Sequence, residues 1–366
     1  MAARPFALKP AVTVTGFSSP VPDAALDALL LPFASGELDV SANARVLFMH
    51  ARDGFALRET ARPGWLCEQG FKPFADALQR SGLRVGEPSP GETFPWVLLL
   101  PPRSRDEARA LFARALTHLA PSGVLLACVP NAEGAKSAEA DLARLAGPLR
   151  HLSKHKCRVF WTRPGAEVDR ILLAAWLALD EVHEIAPRLV SRPGLFAWNR
   201  IDTASALLAA HLPSDLAGRV ADLGAGYGYL STRVLAQCPG VTAIDLYEAE
   251  ARALEPARVN LQRAIDDSGR AVSTAIHWHD VTQGLPSRYD VIVSNPPFHQ
   301  GRADLPELGR AFIRAAADAL LAHGRLWMVA NRHLPYEATL ARRFDRVRSV
   351  AMQGGFKVIE AGGVHA

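Results

Sequence analysis

The sequence predicts an α/β protein of two successive domains. Each is expected to be an open, mostly parallel sheet with helices on both faces, finished by an antiparallel hairpin. Three observations carry this expectation. Strand-like and helix-like segments alternate through the C-terminal half, the pattern of a parallel sheet wound with helices. That half ends in two strand-like runs, 346–352 and 356–360, on either side of Gly354-Gly355, a hairpin signal. The N-terminal half repeats the same order in a worn form. A chain of 366 residues is long enough for two domains, each with its own core.

The C-terminal elements follow in order. Residues 219–223 read as a strand, followed by a glycine loop and a helix to about residue 237. A second strand spans 241–247, a helix 251–265 and a third strand 275–279. The apolar run 290–294 is the fourth strand, 308–322 a long helix and 325–330 the fifth strand. A hairpin that ends a parallel sheet is not the plain dinucleotide-binding plan. It matches the sheet of class I methyltransferases.

In the N-terminal half, Val97-Leu98-Leu99-Leu100-Pro101-Pro102 resembles 292–297. A helix over 105–119, an apolar run over 123–129 and Asn131 mirror the later helix, Gly324 and Asn331. Residues 154–160 resemble 356–360. Such self-similarity suggests duplication. The first copy lacks the chemistry, because Leu100 stands where Asn295 stands and His50-Ala51-Arg52-Asp53-Gly54 is no glycine cradle. The boundaries expected are 1–164 for the degenerate copy, 165–192 for a helical connector and 193–366 for the catalytic domain.

Composition narrows the function classes. Hydrophobic residues make up 49% and charged residues 21%, as in ordinary globular proteins. A formal net charge of +4 neither demonstrates nor opposes a nucleic-acid partner. The cations are mostly arginine, which suits phosphate and base contacts but equally follows from a GC-rich genome. Cys67, Cys128, Cys157 and Cys238 are scattered, without metal-ligand spacing. No metal site is expected, and a reducing compartment fits. No signal peptide is apparent, and the longest apolar run, 171–179, is far too short to span a bilayer. A cytoplasmic monomer is the expectation.

The motif Val220-Ala221-Asp222-Leu223-Gly224-Ala225-Gly226-Tyr227-Gly228 is a strand, an acid and a Gly-x-Gly-x-Gly loop leading into a helix. Its glycines let the backbone turn tightly and approach a ligand. A dinucleotide fingerprint would need a third glycine where Tyr229 stands. The departure favours a nucleoside without phosphates, such as S-adenosylmethionine, although the loop alone is as readily a structural turn. Asp222 can reach the ligand's amino-acid end through water. Glu248, just past the second strand, is placed to bridge ribose hydroxyls. Asp245 competes for that role, and a solvated strand-end acid is the bland alternative. Asp280 can accept from the adenine amine or simply cap a turn.

Asn295-Pro296-Pro297-Phe298 closes the fourth strand. The prolines fix φ and remove backbone donors, leaving a rigid corner rich in acceptors. The Asn295 side-chain oxygen and the Pro296 carbonyl can accept both hydrogens of a planar amine, which localises its lone pair for methyl transfer. Phe298 offers a stacking face, Pro297 and His299 a wall. His299 is not needed as a base, since the proton can leave after transfer. The basic clusters Arg342, Arg343, Arg346, Arg348 and Lys154, His155, Lys156, Arg158 are either phosphate contacts or solvated faces.

With 295–301 go Val329-Ala330-Asn331-Arg332-His333-Leu334-Pro335-Tyr336 and Gly355-Phe356-Lys357-Val358. Together these segments resemble the ribosomal RNA guanine-N2 methyltransferases of the small-subunit methyltransferase C and large-subunit methyltransferase G type. The resemblance is strong from about residue 196 and looser before it. It implies tandem Rossmann-like class I methyltransferase domains, of which only the second binds S-adenosylmethionine. It also implies guanine-N2 methylation of ribosomal RNA, first of all 16S, with the RNA or a ribosomal subunit as partner. The alternatives are 23S rRNA, protein glutamine N5 or DNA adenine N6 methylation. A catalytically silent RNA-binding assembly factor is the non-enzymatic alternative.

Overall fold

The computed structural model describes residues 23–297, 299–300, 303–304 and 306–365. Seven strands form the C-terminal sheet, in the spatial order Ser273–Trp278, Gly240–Glu248, Ala217–Leu223, Tyr289–Ser294, Leu320–Asn331, Phe356–Val364 and Phe344–Gln353. The first five are mutually parallel, and Phe356–Val364 runs against both of its neighbours. The hairpin turn takes its left-handed backbone at Gly354 and Gly355, with φ of 59° and 84°.

Helices cover both faces of this sheet. Thr203–His211, Tyr229–Gln237 and Leu254–Ser268 pack on one face around Leu208, Val220, Val234, Ile244, Val293 and Trp327. Pro306–Ala319 packs on the other, around Tyr289, Ile292, Phe312 and Met328. Burial on two faces explains why the central strands Tyr289–Ser294 and Leu320–Asn331 carry continuous apolar runs instead of alternating patterns.

The N-terminal sheet has six strands, ordered Trp65–Glu68, Val46–Met49, Phe94–Leu99, Leu119–Pro130, Cys157–Trp161 and Arg150–Lys154. The pairing is again parallel and then antiparallel at the last two strands. It is the second plan minus one edge strand. Register fixes the correspondence. Met49 pairs with Leu99 as Leu223 pairs with Ser294, so Leu100 occupies the position of Asn295. His50 keeps a left-handed φ of 52° where Gly224 has 70°.

The segment expected to be a helical connector is helical only over Arg170–Leu177. After a 3-10 turn it forms a hairpin of His183–Ala186 and Leu189–Ser191. Trp176 packs into the N-terminal core, whereas Asn260 bonds both backbone polar groups of Val190, each at 2.8 Å. The connector is therefore divided between the two domains.

The domains meet through equivalent loops. Lys72 N–H donates to the Ala249 carbonyl at 2.8 Å, and Ala251 N–H donates to Gly70 at 2.9 Å. Trp278 Nε1–H sits between the Gly70 and Ala249 carbonyls, at 2.9 and 2.8 Å. Arg252 adds ion pairs to Glu107 and Asp180 and a 2.7 Å bond to the Pro193 carbonyl. All four cysteines are free and buried. Among the described residues, no helix is long and apolar enough to cross a membrane, and no cluster of three metal-ligating side chains occurs.

Candidate active site

The chain enters the C-terminal sheet at Ala217–Leu223, builds outward to Ser273–Trp278, and then crosses to Tyr289–Ser294 on the other side of its first strand. That reversal opens a crevice at the carboxyl ends of two adjacent strands, where open α/β sheets bind ligands. The glycine loop leaves one of these strands and the Asn-Pro-Pro corner leaves the other. Ser294 Oγ–H donates to the Leu223 carbonyl at 2.8 Å and ties the two exits together.

Gly224, Gly226 and Gly228 all have positive φ, at 70°, 54° and 84°. A Cβ on Gly226 would meet nothing within 4 Å. Its surroundings are therefore an open cradle with bare backbone beside it, which fits a ligand that needs close backbone approach. Gly226 N–H donates to Glu248 Oε2 at 2.7 Å, and Glu250 N–H to Oε1 at 2.8 Å. Glu248 thus locks the loop to the end of its strand. Each carboxylate oxygen keeps a further acceptor site, as bridging a ribose diol would require. Burial pushes the Glu248 carboxyl upward, against the pull of those backbone N–H groups.

Asp245 is occupied elsewhere. It accepts from Arg219 Nη2 at 2.6 Å and from the Tyr289 hydroxyl at 2.8 Å, inside the sheet. Asp222 is wholly buried and stands behind the loop. Its Oδ2 accepts from Ser231 N–H at 3.1 Å and Ser231 Oγ–H at 2.7 Å, bolting the following helix to the strand. Its Oδ1 has no hydrogen-bond partner among the described residues, and burial raises its pKa to about 7. Asp280 caps a 3-10 turn, accepting from Thr282 N–H at 2.9 Å, and also lines the cleft. Its capping role and an adenine contact are compatible, because the cap uses Oδ1 and, among the described residues, only Gln283, at 3.4 Å, bonds Oδ2.

Asn295 is held from behind the corner. Its Nδ2 donates to Asp202 Oδ2 at 3.0 Å and to Ser205 Oγ at 2.8 Å. Its Oδ1 is buried without a partner among the described residues. Pro296 is buried and Pro297 exposed, and both line the cleft. Phe298 lies outside the described residues. Of His299 only the backbone is described, paired with Asp304 in a two-residue ladder. Asp202 and Ser205 were not among the residues expected at the site. The one signal for them is an N-cap pattern, Asp202-Thr203-Ala204-Ser205 before an apolar helix.

The cleft has a volume of about 3150 Å³ and is lined by both domains. Small-molecule sites occupy roughly 300–1,000 Å³, so there is room for a macromolecular substrate beside a nucleoside. The N-terminal wall includes Arg52, Arg103, His155 and Lys156, and Phe55, which is 77% exposed. Acids share this wall, where Arg52 pairs with Asp23 at 3.1 Å and Arg103 with Glu133 at 3.8 Å, and the other basic cluster is likewise largely engaged. Arg343 pairs with Asp318, Arg348 with Glu360, and Arg342 bonds the Ala338 carbonyl.

Residues 186–360 match the family model for the methyltransferase small domain. Curated relatives named ribosomal RNA small subunit methyltransferase C include one from Psychromonas ingrahamii, 27% identical, with 83% of this chain and 87% of the relative aligned. Another, from Shewanella piezotolerans, is 30% identical over 73% of this chain and 77% of the relative. Among solved structures, a T. thermophilus 16S rRNA N2 methyltransferase in complex with AdoMet and guanosine superposes with a TM-score of 0.73. It shares 22% identity and covers 93% of this chain and 92% of its own. That likeness extends the two-domain α/β architecture over nearly the whole molecule.

Proposed function

We propose that this chain, which belongs to the ribosomal RNA small subunit methyltransferase C family, methylates the exocyclic N2 of a guanine in 16S rRNA using S-adenosylmethionine. The activity for which its relatives are named, and the AdoMet and guanosine bound to the T. thermophilus neighbour, support that assignment. The observation that carries it here is Asn295. Its amide nitrogen is fully engaged behind the corner, and its oxygen is left as a buried acceptor beside the glycine cradle.

S-adenosylmethionine supplies, when bound, a methyl group activated by sulfonium. The protein's residues would hold and orient. The open backbone at Gly226 and the strand-end carboxylate of Glu248 would receive the nucleoside. Asp280 lines the wall where the adenine amine would lie. Asn295 Oδ1 and the Pro296 carbonyl would each accept one N–H of the guanine N2 amine. Two accepted hydrogen bonds draw the nitrogen lone pair out of conjugation and aim it. Acceleration would then rest on alignment, which can supply several kcal/mol without a general base. Phe298, Pro297 and His299 would form the wall against the base. A guanine within a helix would first be flipped out, and His155 and Lys156, on the N-terminal wall of the cleft, would contact the neighbouring RNA.

The test is methylation with labelled cofactor on naked rRNA and on isolated small and large subunits, followed by mapping of the modified base. Label on N2 of a 16S guanine is expected. Label only in 23S rRNA, protein or DNA would overturn the assignment. Asn295→Ala is expected to abolish turnover while cofactor affinity stays within about threefold, since about 0.7 kcal/mol is the most a peripheral loss would cost.

A further inference from the structure

We infer that Asp202, with Ser205, is a positioning residue that decides which face of the Asn295 amide the substrate meets. The inference rests on the functional reading above and adds to it a residue 93 positions away in sequence. A side-chain amide has two chemically opposite ends, and only the carbonyl end can accept from an amine. Nothing in the Asn-Pro-Pro corner itself prevents the amide from turning over.

Asp202 removes that freedom. An ionised carboxylate accepts and cannot donate, so the group that faces its Oδ2 at 3.0 Å must be Asn295 Nδ2. Ser205 Oγ, at 2.8 Å, takes the second hydrogen. Both donor hydrogens are then used, and Oδ1 is left as an orphan acceptor. Turning the amide over would set its oxygen against the carboxylate and leave a buried amine where an acceptor is needed. A negative charge behind the nitrogen also polarises the amide toward its oxygen, which strengthens that acceptor.

The carboxylate is itself held. Asp202 is the N-cap of the helix Thr203–His211, and the same Oδ2 accepts from Ser205 N–H at 2.8 Å. One oxygen therefore caps a helix and orients the amide, and Ser205 contributes its backbone to the first job and its hydroxyl to the second. The two roles separate by reach. Asparagine at position 202 keeps an acceptor at the same distance, serine keeps the cap but falls short of Asn295, and alanine loses both.

Asp202→Asn, Asp202→Ser and Asp202→Ala in the full-length protein give the test, with kcat, the cofactor Kd and Tm measured for each. In Tm, the Asn and Ser variants should stay near wild type, with Ala lower by a few degrees for the lost cap. In kcat, Ser should fall with Ala, both about 100-fold below wild type, the scale of a small misplacement at the reacting centre. Asn should stay within about fivefold, and all three should hold the cofactor Kd within about twofold. A Ser variant with kcat within threefold of wild type, or an Asn variant as slow as Ala, would overturn the inference. Hydrogen exchange of the Asn295 side-chain NH2, followed by NMR, reads the pairing without any turnover. Slow exchange in wild type and fast exchange in Ser and Ala are expected, and equal rates would overturn the pairing even if the RNA assignment held.

Discussion

Gly226→Ala separates a glycine kept for its backbone angle from one kept for the space beside it. Gly226 and Gly228 both have left-handed φ, 54° and 84°, so alanine at either costs about 1–2 kcal/mol of conformational strain. For domains of this size that lowers Tm by roughly 2–8 °C. The space around the two differs. A Cβ on Gly228 would touch Leu246 Cδ2 at 3.4 Å and Ala257 Cα at 3.5 Å, ordinary contacts inside the domain. A Cβ on Gly226 would point into open cleft, with nothing within 4 Å. Gly226 N–H stays available to Glu248 in the variant, so the loop's own clamp survives. If the cofactor fills that cradle, the methyl group must be accommodated against it, which costs about 1–3 kcal/mol. That corresponds to a Kd weaker by about five- to 150-fold. Calorimetric titration of S-adenosylmethionine, paired with thermal denaturation of the ligand-free variants, measures both quantities. Binding by Gly226→Ala within twofold of wild type, or an equal loss of affinity in Gly228→Ala, would show that the cofactor does not fill the space beside Gly226.

Two other perturbations probe the supports of the site. Burial raises the Asp222 pKa from 3.8 to about 7, so the stability contributed by its neutral form is complete below about pH 3.8 and is lost as the pH rises through 7. Asp222→Asn keeps an acceptor for Ser231 and removes that dependence. Its Tm relative to wild type should climb between pH 4 and 7 and level off above, and a constant difference over that window would refute the argument. Trp278→Phe deletes the N–H shared by the Gly70 and Ala249 carbonyls while leaving a ring under Lys72, whose ammonium sits 5.0 Å from its centroid. A loss of about 1–2 kcal/mol is expected, together with weaker cofactor binding, because Ala249 follows Glu248. Unchanged Tm and Kd would show that the domain junction does not hold the carboxylate.

What could be read in advance depended on whether a residue's role is local. The glycine loop and the Asn-Pro-Pro corner were legible because backbone angle and missing donors are written in the residue types themselves. The buried strands of the C-terminal sheet were legible as apolar runs such as Val291-Ile292-Val293. The four-residue strands Val46–Met49 and Trp65–Glu68 are too short for a period to separate strand from helix. The N-terminal hairpin turns at His155 and Lys156, with φ of 51° and 57°, and lacks the glycines that marked its counterpart. Asp202 was invisible as a site residue because its tie to Asn295 exists only once two distant strand and helix ends meet.

The worn copy shows which part of the site outlasts its chemistry. Register places Gln69 where Glu248 stands, one residue past the strand residue paired with the loop-bearing strand. Gln69 Oε1 accepts from Phe71 N–H at 2.8 Å, as Glu248 Oε1 accepts from Glu250 N–H. Its Nε2 donates to the Ala51 carbonyl at 2.7 Å, in the loop equivalent to the glycine cradle. The amide therefore performs the structural half of the carboxylate's work, closing the turn and tying the loop, and gives up a second acceptor. The Phe71 and Glu250 loops then bridge one another in antiparallel fashion, with Lys72 and Ala251 donating reciprocally across the junction. A two-fold relation between equivalent loops is what self-association of a single ancestral domain would produce. The loop of the first copy thereby braces the loop that carries Glu248. Leu100 stands at the place of Asn295 and Arg52 at that of Gly226, yet Gln69 closes the same turn that Glu248 closes.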